Sequence, residues 1–553
     1  MKTQSSKKTA ENISILAIAS TTLVFNPVNS YEAFNAPKFL ALAVFSTILF
    51  VLGINAFPMR NIRKISNLLL ISMILIFITS IFSLTLSPTS ISQQLFGIDG
   101  RNTGFITIIC LLVMFYVAIL LTGEDYLKKI LITLFGTGSL SLTYGLIQSF
   151  GLDPINWNNQ YNASIGFFGN PNFQSSMLGI FSAVIWSYFF HFKIIKYRIL
   201  ATLLLVLTLI AILRTDSQQG LILFGVNFIT IYFFWILHHY RSKLYIYSYS
   251  LIVVASAMVF LIDIFGKSPW KSIFYQNSIS ERGDLWRAAF RISKDYPLSG
   301  VGFDGFEYYF RTYRDLTASN RQGVGTSSNS VHNIYLDFLV NGGYLHLISY
   351  LLLITLVIIS IINITKKQTY FEPKIIAVIA AWIAYQLQSL ISVNNIGLSI
   401  WGWTLSGVIV GYSLKLNPIH STLLLDNWKF KKLKILSIFG LVALIGVTYL
   451  SSSPLRADIN FRSALESREI NRVLNTAYEW PKTPQRMFQV STILEKNSLF
   501  DLANQVSKDA VSLFPNSFEN WEQYYSLPNL TEQEKNKIFS KMKELDPLNP
   551  LYR

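Results

Sequence analysis

The stretch "SVHNIYLDFLVNGG", residues 330–343, sets His332 and Asn333 at the mouth of an apolar segment. A neutral imidazole accepts a proton from a hydroxyl group near pH 7, so a histidine placed there suits general-base chemistry. The chain just before it is rich in guanidinium groups. "SISERGDLWRAAFRISKDYPLSGVGFDGF" holds Arg282, Arg287 and Arg291, and Arg311, Arg314 and Arg321 follow. Arginine stays charged at any relevant pH and grips phosphate through a bidentate fork. Several fixed cations in one loop make a candidate diphosphate site. Two plainer roles fit the same residues: a satisfied polar histidine at a membrane edge, and a solvated basic loop that touches anionic headgroups.

Local patterns say how these groups are held. Ser278 and Glu281 have capping-box spacing, which predicts a helix start. On that helix Arg287 and Arg291 lie four apart and share a face, and Arg282 and Trp286 form a neighbouring pair. Pro297 ends the helix, and Gly300, Gly302 and Gly305 call for tight or left-handed backbone. G-V-G-F-D-G is not a nucleotide fingerprint, because no strand precedes it and no helix start follows in register.

The rest of the chain is a scaffold of apolar helices. Of 553 residues 51% are hydrophobic and 14% charged, with mean hydropathy +0.40, against about 25% charged residues in a soluble domain. A span needs roughly 20 apolar residues. Thirteen segments qualify, at about 11–29, 38–57, 66–86, 102–122, 128–150, 173–192, 197–214, 218–237, 244–265, 334–362, 373–392, 396–414 and 434–451. The basic start "MKTQSSKKTAENISILAIAS" is followed at once by a second apolar segment, so it reads as an uncleaved first span. With the N-terminus in the cytoplasm, "PMRNIRK", "GEDYLKK", "FKIIKYR", "HHYRSK", "ITKKQTYFEPK" and "KLNPIHSTLLLDNWKFKKLK" are inner loops, each with at least two Lys or Arg. That bias fixes the orientation and accounts for the net charge of +16 without nucleic acid.

The expected fold is therefore all-α: helices 1–9 over 1–265, an extracytoplasmic loop over 266–333, helices 10–13 over 334–451, and a soluble helical tail over 452–553. In the tail, Ala503, Ala510 and Pro515 are spaced as in a tetratricopeptide repeat, and "KELDPLNP" closes a shorter unit. A small helical cap fits equally, and a partner-binding role stays open. Of the six histidines, His191, His238, His239 and His420 fall at or near the inner face, and His346 lies about four turns into the tenth span. His332 alone stands on the outer face. Cys110 lies within an apolar run and reads as a packing residue. One cysteine excludes an intramolecular disulfide or a Cys-based zinc site, and no ligand cluster on the outer face calls for a metal.

"RGDLWRAAFRISKDYPLSGVGFDGFEYYF" followed by "HNIYLDFLVNGG" resembles the core of the O-antigen ligase and lipid-linked glycan polymerase superfamily. That core carries Arg, Trp, Pro-Leu-x-Gly-x-Gly and His-Asn-x9-Gly in order, matched by Arg282, Trp286, Pro297, Leu298, Gly300, Gly302, His332, Asn333 and Gly343. "LFGIDGRNTGF" resembles its G-x-x-x-R-x-x-G element through Gly97, Arg101 and Gly104. "GFFGNPNFQSSMLG" resembles its Gly-Asn-Pro-Asn stretch through Gly169, Asn170, Pro171 and Asn172. The chain departs where the family has a Ser-Arg-Gly-like element: it reads "RTDSQQG", with Gln218 or Gln219 in place of the arginine and Arg214 one turn earlier. His346 also replaces a frequent glycine.

The resemblance implies transfer of a glycan from a polyprenyl diphosphate carrier, such as undecaprenyl diphosphate, to an acceptor hydroxyl outside the cytoplasmic membrane. It needs no cofactor or metal. Arg282 is the expected stabiliser of the leaving diphosphate and His332 the expected base, or else a diphosphate ligand. Arg101, Arg287, Arg291, Arg214, Asn333, Asn172 and Trp286 are expected to bind substrate. The partners implied are a lipid-linked glycan, an acceptor glycolipid, glycan or protein, and membrane lipid. A polymerase of lipid-linked repeats and a protein O-oligosaccharyltransferase share the core. A transporter or flippase fits less well, because the deep spans are poor in charge.

Overall fold

Inside a bilayer every backbone N–H needs a partner within its own segment, so long apolar runs become helices. The computed structural model describes residues 2–56, 67–157, 159–161, 163–240, 244–245, 247–251, 277–323, 325–416 and 434–550, and among them it is all-helical. The first half holds α1 (Lys2–Leu23), α2 (Asn35–Ala56), α3 (Asn67–Leu86), the short α4 (Ile91–Phe96), α5 (Phe105–Leu121), α6 (Glu124–Ser149), α7 (Pro171–His191), α8 (Ile195–Leu213) and α9 (Gln218–His239). The segment before the expected tenth span supplies α10 (Asn277–Asp295), α11 (Phe306–Tyr313) and α12 (Leu316–Gln322). Then come α13 (Ile334–Lys367), α14 (Pro373–Ser389), α15 (Ile396–Leu416) and α16 (Lys434–Ser451).

All the expected spans but the ninth coincide with helices; most of 244–265 lies outside the described residues. Among the described residues, eight helices are long and apolar enough to cross a membrane. The count of thirteen is not reached by length and composition. The first half of α1 carries Lys2, Lys7, Lys8 and Glu11, and α5 and α14 have 17 residues each. α5 packs on α15, α14 on α7, α7 on α9, and α13 on α3. Cys110 is buried in this core.

The two ends of the bundle differ in charge. At one end the ammonium groups of Lys7 and Lys415 gather over Gly123, Lys374 pairs with Glu124 at 3.0 Å, and Lys129 pairs with Glu11 at 2.9 Å. The opposite end carries the starts of α2, α5, α13 and α15, the loop helices α10–α12 and the tail. The tail is α17 (Ser453–Ser467), α18 (Ile470–Ala477), α19 (Pro484–Lys496), α20 (Phe500–Leu513), α21 (Phe518–Ser526) and α22 (Glu532–Leu545). Ala503, Val506 and Ala510 bury against Met487, Val490 and Leu494 in a core of its own. The tail is not a free appendage. Arg314 of the loop is sealed against Asp546 at 2.8 Å, with both side chains almost fully buried, and Arg311 reaches Glu519 at 3.1 Å.

Candidate functional site

α13 starts after Asn333, whose side chain accepts the Leu336 N–H at 3.1 Å and caps the helix. The residue before the cap, His332, is left-handed at φ 56°, a conformation unusual for a residue with a Cβ. Neighbours impose it. Ser330 Oγ accepts the His332 N–H at 3.2 Å, and Asp337 Oδ1 accepts the Val331 N–H at 3.3 Å. The imidazole itself makes no hydrogen bond with any described residue.

The glycines after Pro297 explain the long spacing of the histidine motif. Gly343 sits at φ 75° and ψ −173°, which breaks α13 and frees two carbonyls. The Val301 N–H donates to Val340 O at 2.8 Å and the Gly302 N–H to Asn341 O at 3.2 Å. In return the Tyr344 N–H donates to Pro297 O at 2.9 Å. A Cβ at Gly300 would lie 2.3 Å from Val340 O, and one at Gly343 2.4 Å from Pro297 O. The Pro-Leu-x-Gly-x-Gly segment and the kink are thus two halves of one joint. Its rigidity fixes the loop against the start of α13.

Arg101 arrives on a second loop. A Cβ at Gly104 would lie 2.4 Å from Gly97 N, so the glycines close the loop through backbone contact. Asp304, from G-V-G-F-D-G, ties it down: its carboxylate accepts from Ile98 N at 3.1 Å and Thr103 Oγ1 at 2.7 Å. The Arg101 guanidinium donates to Asn329 O at 3.2 Å and to its side-chain oxygen, two residues before Val331. Burial lowers the Arg101 pKa, while Asp304, Asp337 and Glu307 oppose the shift. Arg282, on α10, is also lowered by burial. Burial first, then the charges of Arg101 and Arg282, press His332 from 6.5 down to about 4, so it is neutral at pH 7.

The other arginines are committed elsewhere. Arg287 pairs with Asp284 and, at 2.8 Å, with Asp315. Arg291 donates to Tyr313 O at 3.1 Å and lies 3.7 Å from Asp315. Arg321 pairs with Asp284 at 2.7 Å. Among the described residues, Arg101 and Arg282 have no carboxylate within 4.0 Å. α10 is helical from Asn277, the first described residue of its segment, so Ser278 lies inside the helix. Trp286 is part-buried in the loop core and its indole N–H finds no partner among the described residues.

The structure therefore joins His332, Arg101 and Arg282 and sets the remaining expected residues apart. Asn333 caps a helix. Asn172 accepts from Ser217 Oγ at 2.7 Å at the meeting of α7 and α9. Arg214 is exposed after α8, its carbonyl accepting the Ser164 N–H at 3.2 Å. His346 is buried, bonded to Thr79 at 2.8 Å and stacked on Phe338. Asp304 was missed in sequence reading; its only signal was an acidic residue among closely spaced glycines. Residues 203–351 match a family described as O-antigen ligase, a span that includes Arg214, Arg282, His332 and Gly343 but not Arg101 or Asn172. No curated protein matches the chain.

Proposed function

From the premise that the chain carries an O-antigen ligase domain at 203–351, we propose that it moves a glycan from a polyprenyl diphosphate carrier to an acceptor hydroxyl. The observation that carries this reading is one neutral imidazole beside two arginines that have no carboxylate within 4.0 Å among the described residues. In the reaction, His332 takes the proton of the acceptor hydroxyl as that oxygen attacks the anomeric carbon. The carbon–oxygen bond to the diphosphate breaks and its electron pair leaves with the diphosphate. Arg282 and Arg101 receive that charge in a site where fixed cations need no reorganisation. The proton then passes from His332 to solvent or to the departing diphosphate, which restores the base.

Sidedness follows from charge. The lysine-rich end faces the cytoplasm, so the site and the tail face outward at the cytoplasmic membrane. There the carrier's chain rests in lipid and its reactive carbon stands at the edge. Mass spectrometry of polyprenyl-linked glycans tests the reading in cells with and without the protein. Completed chains accumulating on the carrier when the protein is absent are the expected result. Accumulation of single repeats would make it a polymerase, and no accumulation would remove glycan transfer.

A further inference from the structure

α19 presents Gln485 and Gln489 one turn apart on the same face. They look across a cleft of about 150 Å³ toward the α1–α2 loop and the loop that carries Arg101. That volume holds on the order of five waters, the scale of one sugar ring. The tail builds one wall and fixes the other. Asp458 of α17 accepts the backbone N–H groups of Tyr31 at 2.8 Å and Glu32 at 2.9 Å, and Thr483 donates to Asp99. Gly100, left-handed at φ 78°, brings its backbone under the Glu32 carboxylate.

The lining is short of one thing it needs. Asn102 is 2% exposed and lines the cleft, yet its Oδ1 has no hydrogen-bond partner among the described residues. A buried amide oxygen left unsatisfied is costly, which points to a donor arriving from a ligand. Gln489 also makes no hydrogen bond with a described residue. The wall offers Glu32, Asp99 and Asp458 as acceptors. Its one arginine, Arg486, is turned to the carbonyls of Thr476, Glu479 and Pro481. Such a lining repels anions and accepts hydroxyl protons, while Tyr31, packed edge-on against Phe461 at 5.2 Å, adds an apolar face.

We propose that this cleft binds one uncharged sugar residue of a glycan, held jointly by the tail and the loops flanking Arg101. The proposal rests on the glycosyl-transfer reading: Gly100 and Asn102 flank Arg101, so a sugar held here lies next to the reacting centre.

The test uses the full chain in nanodiscs and saturation-transfer NMR with methyl glucoside and methyl N-acetylglucosaminide as neutral probes and glucuronate as the acidic one. A neutral glycoside is expected to bind. Its signal should fall about fivefold in Gln489→Ala and in Asn102→Gly, as for loss of one neutral hydrogen bond. Glycine keeps the left-handed backbone at 102 and removes the side chain that carries the amide. No neutral binding, binding indifferent to both substitutions, or equal binding of glucuronate overturns the proposal. In the transfer assay, a raised KM for acceptor alone assigns the sugar to the acceptor, and a raised KM for donor alone assigns it to the donor. A rise in neither also overturns it. Transfer without glycoside binding sinks the cleft alone. Glycoside binding that needs Gln489, in a protein that transfers nothing, sinks the transfer reading and leaves the cleft standing.

Discussion

Two pairs of arginines from the same face of the molecule have opposite fates. Arg311 and Arg314 are buried against Asp546 and Glu519 of the tail, whereas Arg101 and Arg282 have no such partner among the described residues and press on His332. Residue type is the same in both, so type alone does not decide function. The carboxylates within reach decide it: a paired guanidinium fastens the fold, and an unpaired one keeps its charge for a ligand.

Substitutions can break that contrast, beginning with the largest effect. His332→Gln should lower glycan transfer by about 10²–10⁴-fold, the usual contribution of a general base. Its thermal unfolding should match wild type, since the ring holds no described partner; rates and melting curves from one preparation check both. Asp546→Ala removes the carboxylate that neutralises the buried Arg314, which should destabilise the tail–loop contact by about 3–5 kcal/mol. Limited proteolysis should then release fragments of the tail at temperatures where the wild type resists.

The pH profile sharpens the comparison. Below its pKa the imidazole is protonated and cannot accept the acceptor's proton, so the rate falls on the acid side. With His332 near 4, the acid limb of kcat/KM should lie about 2.5 pH units below that of an ordinary histidine at about 6.5. Bound diphosphate offsets Arg101 and Arg282, so the limb of kcat should sit higher than that of kcat/KM. A limb of kcat/KM at the ordinary position would mean that neither burial nor the two arginines act on the ring. The smallest effect belongs to Arg287→Ala, which removes a guanidinium already held by Asp284 and Asp315.

Much of this was legible in the sequence, and the rest depended on contacts that spacing cannot show. The helices followed from apolar runs, and residue chemistry with motif order named Arg282, Arg101 and His332 as candidates, which the structure places near one another. The neutralisation of Arg287 was not legible, because Asp315 lies 28 residues away and its side chain also caps α12. Asp304 reaches the Arg101 loop across 206 residues, and locally only its place among closely spaced glycines marks it. Gly343 was visible as a motif position, but its purpose required seeing Val301 and Gly302 take the carbonyls it frees. The tail's anchoring spans 232 residues between Arg314 and Asp546. A charged, helical tail could therefore be read as soluble but not as docked.

The most direct test is a single transfer assay on reconstituted protein that compares Arg282→Ala with Arg287→Ala. The two residues lie on one helix, five positions apart in sequence, and differ in whether a carboxylate holds them. The account predicts a loss of about 10²-fold or more for Arg282→Ala and only a small loss for Arg287→Ala. Equal losses, or a larger loss at Arg287, would contradict it.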